Sequence, residues 1–497
     1  MQSAMPVCAM AIEAGGAGDG HRLREAVLAG PGGVVQVEQA AAGEVWSLLA
    51  DPWQIAAGLA TAGHVDRRQR ALPGAVTVLA VLALCLFRRE NYDLVLARVF
   101  ASTSMVRAVD GVPPSGQALS QARTRLTGEP LQALFTQTAA AAPAAPVIGT
   151  HLFDLLLCAF DGTVFDVANT AENAAVFTVP TGGRFPQARL VTLVACGTRR
   201  ILAAAVDSAG VSERALVDQL AADLRPGMLN LADRNFFAMH RWVRFTATGA
   251  QLAWRVKNGA RSLPARVVQV LPDGSARVLL HESDQMLAAR RRRAGDRSLV
   301  RLPDTIARLV EFTVTVTDRR GRATTSRFRV LTTLLDHHRY PAGQIAAAYA
   351  HRWQAEVAYL HLKVTLRGAG TRLRGQSPHL ARQEIWGLLI VYNALVDLAT
   401  RAAVDLGVDP DRISFTAVLA LTRASTAATA TTCDHCGHQP TGSGHAETLL
   451  AAITAHPLGR AGRQRTSPRS RQQRRTERTR TVSYTIEIVA SNLPRAE

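Results

Sequence analysis

The chain has 497 residues, with 57 lysines and arginines against 39 aspartates and glutamates, for a net charge of +18. A hydrophobic fraction of 47% points to a folded protein of roughly three domains and excludes a disordered one. No membrane span or secretory leader is expected: the longest apolar run, Val78 to Phe87, stops at Arg88-Arg89-Glu90, and the first twenty residues lack a basic start and apolar core, while six cysteines suit a reducing, cytoplasmic setting.

Residues 1–30 read as a flexible N-terminus and 31–140 as a helical domain. Its three helical stretches are VEQAAAGEVWSLLAD, TVLAVLALCLFRRENYDLVLARVF and SGQALSQARTRLTGEPLQALF. Ser115 is the expected N-cap of the third, and Gly128 with Pro130 should break it. Arg123 and Arg125 on that helix are candidates for contact with a DNA groove, although arginine on an exposed helix is ordinary. TAAAAPAAPV, residues 138 to 147, is proline-punctuated in the manner of a linker.

Beyond it the pattern turns to strands. LLLCAF ends at Asp161, and ARLVTLVACG with RILAAAVDSAG reads as a hairpin about Gly197 to Arg200. A helix capped by Ser212 follows, then MLNLAD ending at Asp233. Strand ends are where parallel sheets place chemistry, and two adjacent strands would bring Asp161 and Asp233 together. Alone, Asp161 reads equally as a turn residue before Gly162, and Asp233 as the N-cap of a helix starting near Phe236.

The stretch YAHRWQAEVAYLHLK alters that balance. Tyr349, Arg352, Glu356 and Lys363 fall within an arc of roughly 60° on a continuous helix. Trp353, Val357, Leu360 and Val364 form the adjoining apolar stripe. One carboxylate flanked by two cations and a phenol suits a site that holds a metal ion beside a phosphate. Three oxygen-only ligands, Asp161, Asp233 and Glu356, favour Mg2+ or Mn2+ over zinc. Two such ions form the phosphoryl-transfer site of many nucleases and polymerases.

Two arginine clusters supply much of the positive charge: Arg290 to Arg293, and Arg460 to Arg480 with nine arginines and the single acid Glu477. Nucleic acid is the most economical polyanion for them. Cys433, His435, Cys436 and His438 could form half a zinc site, but no second ligand pair follows at finger spacing, and a solvated loop is the default reading. Trp254 is open between a base-stacking and a core role, and His351 and His361 read as surface or packed histidines.

The spacing Tyr-x2-Arg-x3-Glu-x6-Lys, met without a gap by Tyr349, Arg352, Glu356 and Lys363, resembles the signature of the DDE transposases of the insertion-element-four family. FDGT at residues 160 to 163 and LADRNFF at 231 to 237 resemble that family's first and second acidic motifs, and PPSGQALSQARTRLTGEPLQALF resembles its helical N-terminal module. ANTAEN lacks an acid expected in the family and FTVP replaces a glycine-containing turn; both bear on loops only. The resemblance covers roughly residues 30 to 400.

It implies an α/β fold: an RNase H-like catalytic core with a β-rich insertion, preceded by an all-helical N-terminal domain. The expected boundaries are 31–140 for a DNA-binding helical domain, 141–250 and 336–402 for the two parts of the core, and 251–335 for the insertion. Residues 403–456 would form a C-terminal helical and loop region and 457–497 a basic tail. Asp161, Asp233 and Glu356 would hold two ions, and Tyr349, Arg352 and Lys363 would contact the phosphate backbone at the element's end. The implied activity is cut-and-paste transposition on double-stranded DNA by a homodimer in a paired-end complex, in a bacterial cytoplasm at the nucleoid. An RNase H-like nuclease without strand transfer, and a non-catalytic relic that only occupies element ends, remain open alternatives.

Overall fold

The computed structural model describes residues 44–68, 70–101, 113–140, 147–259, 263–318, 321–428, 444–458, 481–491 and 493–494. The 1–30 stretch, the Cys433 to His438 group and the arginine run from Arg460 to Arg480 lie outside them.

Among the described residues six helices precede the sheet: α1 (Glu44–Leu49), α2 (Pro52–Thr61), α3 (Gly74–Leu86), α4 (Tyr92–Ala101), α5 (Gly116–Leu126) and α6 (Glu129–Ala140). Asp51 opens α2 with a capping box, its side chain accepting from the backbone while Gln54 accepts in return from the Asp51 N–H. Ser115 caps α5 as its sequence predicts, and the break comes at Thr127, whose φ of +61° no helix continues. Every residue of α3 is buried, which explains its unbroken apolar sequence.

The sheet strands are β1 (His151–Leu152), β2 (Leu155–Asp166), β3 (Gln187–Ala195), β4 (Ile201–Ser208), β5 (Met228–Ala232) and β6 (Gln251–Arg255). Three helices intervene: α7 (Ala171–Val176), α8 (Glu213–Gln219) and α9 (Met239–Thr246). Next come β7 (Ala265–Val270), β8 (Ala276–Leu280), α10 (Asp284–Ala294), β9 (Thr305–Asp318) and β10 (Ala323–Thr332). The strand order is β4-β3-β2-β5-β6-β10-β9-β8-β7, with β1 on β2. β2, β3 and β4 form an antiparallel meander, while β5 runs parallel to β2 and β6 parallel to β5. The four later strands pair antiparallel and extend the same sheet from the edge of β6.

Helices α11 (Ala342–Tyr349), α12 (Trp353–Leu360), α13 (Pro378–Asp405), α14 (Phe415–Ala428) and α15 (Gly444–Thr454) follow, and β11 (Thr481–Ile488) is the last element among the described residues. β11 pairs with the second half of β9, so the segment read as a basic tail ends in an ordered strand. By length and composition α13 is apolar enough to cross a bilayer, and 72% of its most apolar part is buried inside the fold.

One apolar core runs from Trp46 through α3 and α13 to the face of β2 and β3, so the N-terminal helices share their interior with the sheet. Gly387 makes this possible: a Cβ there would stand 3.0 Å from Cys85 Sγ and 3.2 Å from Val81. A buried ion pair from Arg88, two residues past the end of α3, to Glu384 of α13 ties the same region together. A second core lies under the other face, built on Trp242, Trp254 and Phe245. Trp254 is wholly buried and donates to Asn230 Oδ1 at 2.8 Å, which settles it as core rather than a base-stacking platform.

Candidate active site

Asp161 and Asp233 occupy corresponding places on neighbouring parallel strands. The register pairs Ala159 with Leu231, and both aspartates lie two residues further on. The sequence suggests that β2 ends at Asp161, but it does not. The antiparallel ladder to β3 continues through Asp161↔Thr192 and Gly162↔Val191 to Asp166↔Gln187. Asp161 is therefore within a strand on its β3 side and beyond the last pair on its β5 side. The turn reading of Asp161 falls with this, as does the capping reading of Asp233, since the next helix begins at Met239 with Ala238 at its cap.

The stretch bearing Glu356 is not one regular helix. α11 ends at Tyr349, a 3-10 turn covers Ala350–Arg352, α12 carries Glu356, and a π-helical segment follows at His361–Leu366. Irregular turns of this kind re-aim side chains from their regular pitch. Arg352 donates to Glu356 Oε1 at 3.2 Å. Tyr349 is buried and its hydroxyl donates to the Ala232 carbonyl, the residue before Asp233, at 3.4 Å. Lys363 donates to Thr163 Oγ1 at 3.0 Å and to the Val164 carbonyl at 2.6 Å, both on β2. Three residues of the spacing motif thus touch the strand ends that carry the aspartates or the glutamate itself.

Tyr359 belongs to the same site, although the spacing motif omits it. Its hydroxyl donates to the Asp161 carbonyl at 2.6 Å and stands 2.8 Å from Thr192 Oγ1. Three residues after Glu356, it lies on the same helical face, and that was the signal available. Glu213 is a further addition. A Cβ on Gly162 would come within 2.9 Å of the Glu213 carboxylate, which lies 3.4 Å from Arg189 and accepts from Asn235 at 3.2 Å.

Burial pushes the Asp161 carboxyl up to about 7; Glu356 and Glu213 add to the rise, and Arg352 opposes it. Burial works against the charge on Arg352, yet Tyr349, Asp161, Asp233 and Glu356 together hold its pKa above the usual arginine value. Arg352 is thus the cation that all three carboxylates share. Asp233 has Arg255 at 3.9 Å as a second, weak partner. Among the described residues no three carboxylate, histidine or cysteine side chains stand close enough to share one ion. The donor set nonetheless fits hard divalent cations: it is all oxygen, and one carboxyl is buried beside like charge.

Arg123 does not face a groove. It is buried, donates to Gln383 Oε1 at 2.8 Å and bonds the Tyr92 hydroxyl, because α5 packs against α13 on that side. Arg125, two residues on, is exposed. His361 stacks on Phe415 with ring centroids 4.5 Å apart, and burial holds it neutral with a pKa of about 3. Arg290 pairs with Glu282 at 2.8 Å, so the cluster it opens is partly neutralised.

The sequence matches two families: insertion element 4 transposase N-terminal over residues 45–136, and transposase DDE domain over residues 153–394. It is 30% identical over 372 residues to the transposase InsG for insertion sequence element IS4 of Escherichia coli (strain K12), covering 73% of this chain and 78% of that one. Among solved structures it is similar to the piggyBac transposase in a synaptic complex with hairpin DNA, at 9% identity and a TM-score of 0.39 over 84% of each chain.

Proposed function

The chain belongs to the insertion element 4 family of DDE transposases, and on that premise we propose that it is a cut-and-paste enzyme. It binds the terminal inverted repeats of its element, cleaves at the ends and joins the 3′-hydroxyls to target DNA. In this reading the five strands β4-β3-β2-β5-β6 form an RNase H-like core, and β7 to β10 form its insertion. The observation that carries the reading is the register of β2 and β5, which sets Asp161 beside Asp233, with the Glu356 helix bonded to the first strand through Tyr359.

Asp161, Asp233 and Glu356 are the residues that would hold Mg2+ or Mn2+. Two such ions supply the acidity that ionises an attacking water or hydroxyl and stabilise the leaving oxygen. The chain's own groups do the positioning. Tyr359 and Thr192 fix the backbone at Asp161, and Tyr349 fixes it before Asp233. Arg352 balances the carboxylates and has the planar fork that grips a phosphate in two-pronged fashion. Lys363 adds a point charge beside the same strand. Both strand cleavage and strand joining are in-line displacements at phosphorus, so one site serves them in turn. Pairing of two ends calls for a homodimer on DNA.

The test is a donor plasmid carrying two element ends, incubated with the protein, Mg2+ and a target plasmid. Excised element joined to target is the expected product. Cleavage without joined product would replace the transposase reading with a nuclease, and loss of cleavage must follow from Asp161→Ala, Asp233→Ala and Glu356→Ala alike, with duplex binding kept.

A further inference from the structure

The loop from α2 to α3 and the last turn of α5 enclose a cavity of about 710 Å3, apart from the catalytic carboxylates. Arg67, Arg68 and Arg70 line it from the loop and Arg125 from α5, with His64 and Asp66 beside them. Four arginines against one aspartate leave a net of three positive charges, His64 taken as neutral. That aspartate is already engaged: it accepts from the Gly74 N–H at 2.8 Å and lies 3.6 Å from His64 Nε2. All four arginines are exposed, and Arg125 stands near enough to Asp66 to help hold its carboxyl below the usual value.

A single solvated arginine needs no explanation, but four around one concavity repel each other and focus a positive potential there. The floor beneath them is packed into the core. Leu72, Thr77, Ala122 and Leu126 are buried, and the Arg123 bond to Gln383 pins α5 to α13 two residues before Arg125. Among the described residues no aromatic ring other than the His64 imidazole lines the cavity, so they offer little on which to stack a base. Arg67 and Arg70 stand at most about 11 Å apart along the chain. Over that distance one strand of a duplex presents about three phosphates, at roughly 3.4 Å of axis each.

We propose that this cavity binds the phosphodiester backbone of duplex DNA, with Arg67, Arg68, Arg70 and Arg125 each neutralising a phosphate and no base being read. The proposal rests on the reading of the chain as a DNA transposase.

The experiment measures binding of the full chain to an element-end duplex and to a scrambled duplex of equal length, by fluorescence anisotropy across a salt series. The triple variant Arg67→Gln/Arg68→Gln/Arg70→Gln should weaken both duplexes by a similar factor. It should also flatten the slope of log affinity against log salt by about 0.9 for each phosphate that is no longer neutralised, near three in all. Arg125→Gln should flatten it by about one, and the triple lysine variant should keep the wild-type slope, which also shows that the loop still folds. A wild-type slope in the glutamine triple overturns the site. Weakening confined to the element-end duplex overturns backbone binding in favour of base reading. If the wild-type protein binds neither duplex, the DNA reading itself fails and takes the cavity proposal with it.

Discussion

The Tyr359 hydroxyl donates to the main-chain carbonyl of Asp161 at 2.6 Å, joining the helix that carries Glu356 to the strand that carries Asp161. The same oxygen lies 2.8 Å from Thr192 Oγ1, so three elements meet at one buried phenol. Tyr359→Phe leaves that carbonyl and hydroxyl without a partner, at a cost of about 1–3 kcal/mol. A displacement of Asp161 relative to Glu356 by even a fraction of an ångström would slow chemistry by roughly 10- to 100-fold. Duplex affinity should stay unchanged. A Tyr359→Phe protein that melts earlier yet cuts at the wild-type rate would reduce the bond to a structural tie.

The Asp161 carboxyl predicts a pH dependence. Burial first, then Glu356 and Glu213, raise it to about 7 from the usual carboxylate value near 4. A raised folded-state pKa contributes stability that is full below the unfolded value and is lost as pH climbs through the folded one. Metal-free protein should therefore lose stability from about pH 4 to pH 7. Asp161→Asn should flatten that decline and melt higher than wild type at pH 8. Because a ligand must be deprotonated, Mg2+ affinity measured by calorimetry should rise across the same window. A wild-type melting temperature that is flat from pH 4 to 7 would contradict this account.

Arg352 offers a second charge-based expectation. It bonds Glu356 at 3.2 Å and feels Asp161 and Asp233 as well. Arg352→Ala leaves three carboxylates without their shared cation, so the metal-free variant should melt earlier than wild type. Mg2+ should then restore more stability to the variant than it adds to wild type, since a ligand stabilises the state it binds. Thermal melts with and without Mg2+ give both numbers. Equal Mg2+-induced shifts would mean that Arg352 does not balance the triad. Arg352→Lys keeps the charge without the fork and should repair the melt more fully than end pairing.

Much of this site is legible in the sequence, and the exceptions have physical causes. Ser115 and the hairpin of β3 and β4 follow from local chemistry, as do the matching places of Asp161 and Asp233 two residues past the last β2–β5 pair. The length of β2 does not follow, because a long-range ladder to β3 overrides the glycine after Asp161. The spacing from Tyr349 to Lys363 predicts a continuous helical pitch, and the 3-10 and π-helical turns break it. Arg123 reads as a surface residue in its own helix; its partner Gln383 is 260 positions away. Glu213 reads as an ordinary first-turn acid of α8, and only the folded sheet brings Gly162 beside it.

Lys363 has two roles open to it, and the structure supplies the means to separate them. Its ammonium donates to Thr163 Oγ1 and to the Val164 carbonyl, which anchors the π-helical turn on β2 just past Asp161. Burial lowers its pKa, with Arg367 adding to the effect, so the ion would gain from an approaching phosphate. Lys363→Met keeps a long stem over the Phe165 ring, 5.5 Å from the wild-type ammonium, while removing the charge. Thr163→Val removes one acceptor and leaves every charge in place. If Lys363 meets a phosphate, Lys363→Met should flatten the salt dependence of element-end binding by about 0.9, the slope of a single neutralised phosphate. Thr163→Val should leave that slope alone and cost only about 1 kcal/mol of stability, the usual value of one hydrogen bond. Should both variants destabilise the protein by the same amount and leave the slope untouched, Lys363 is an anchor for the Glu356 helix and does not meet DNA.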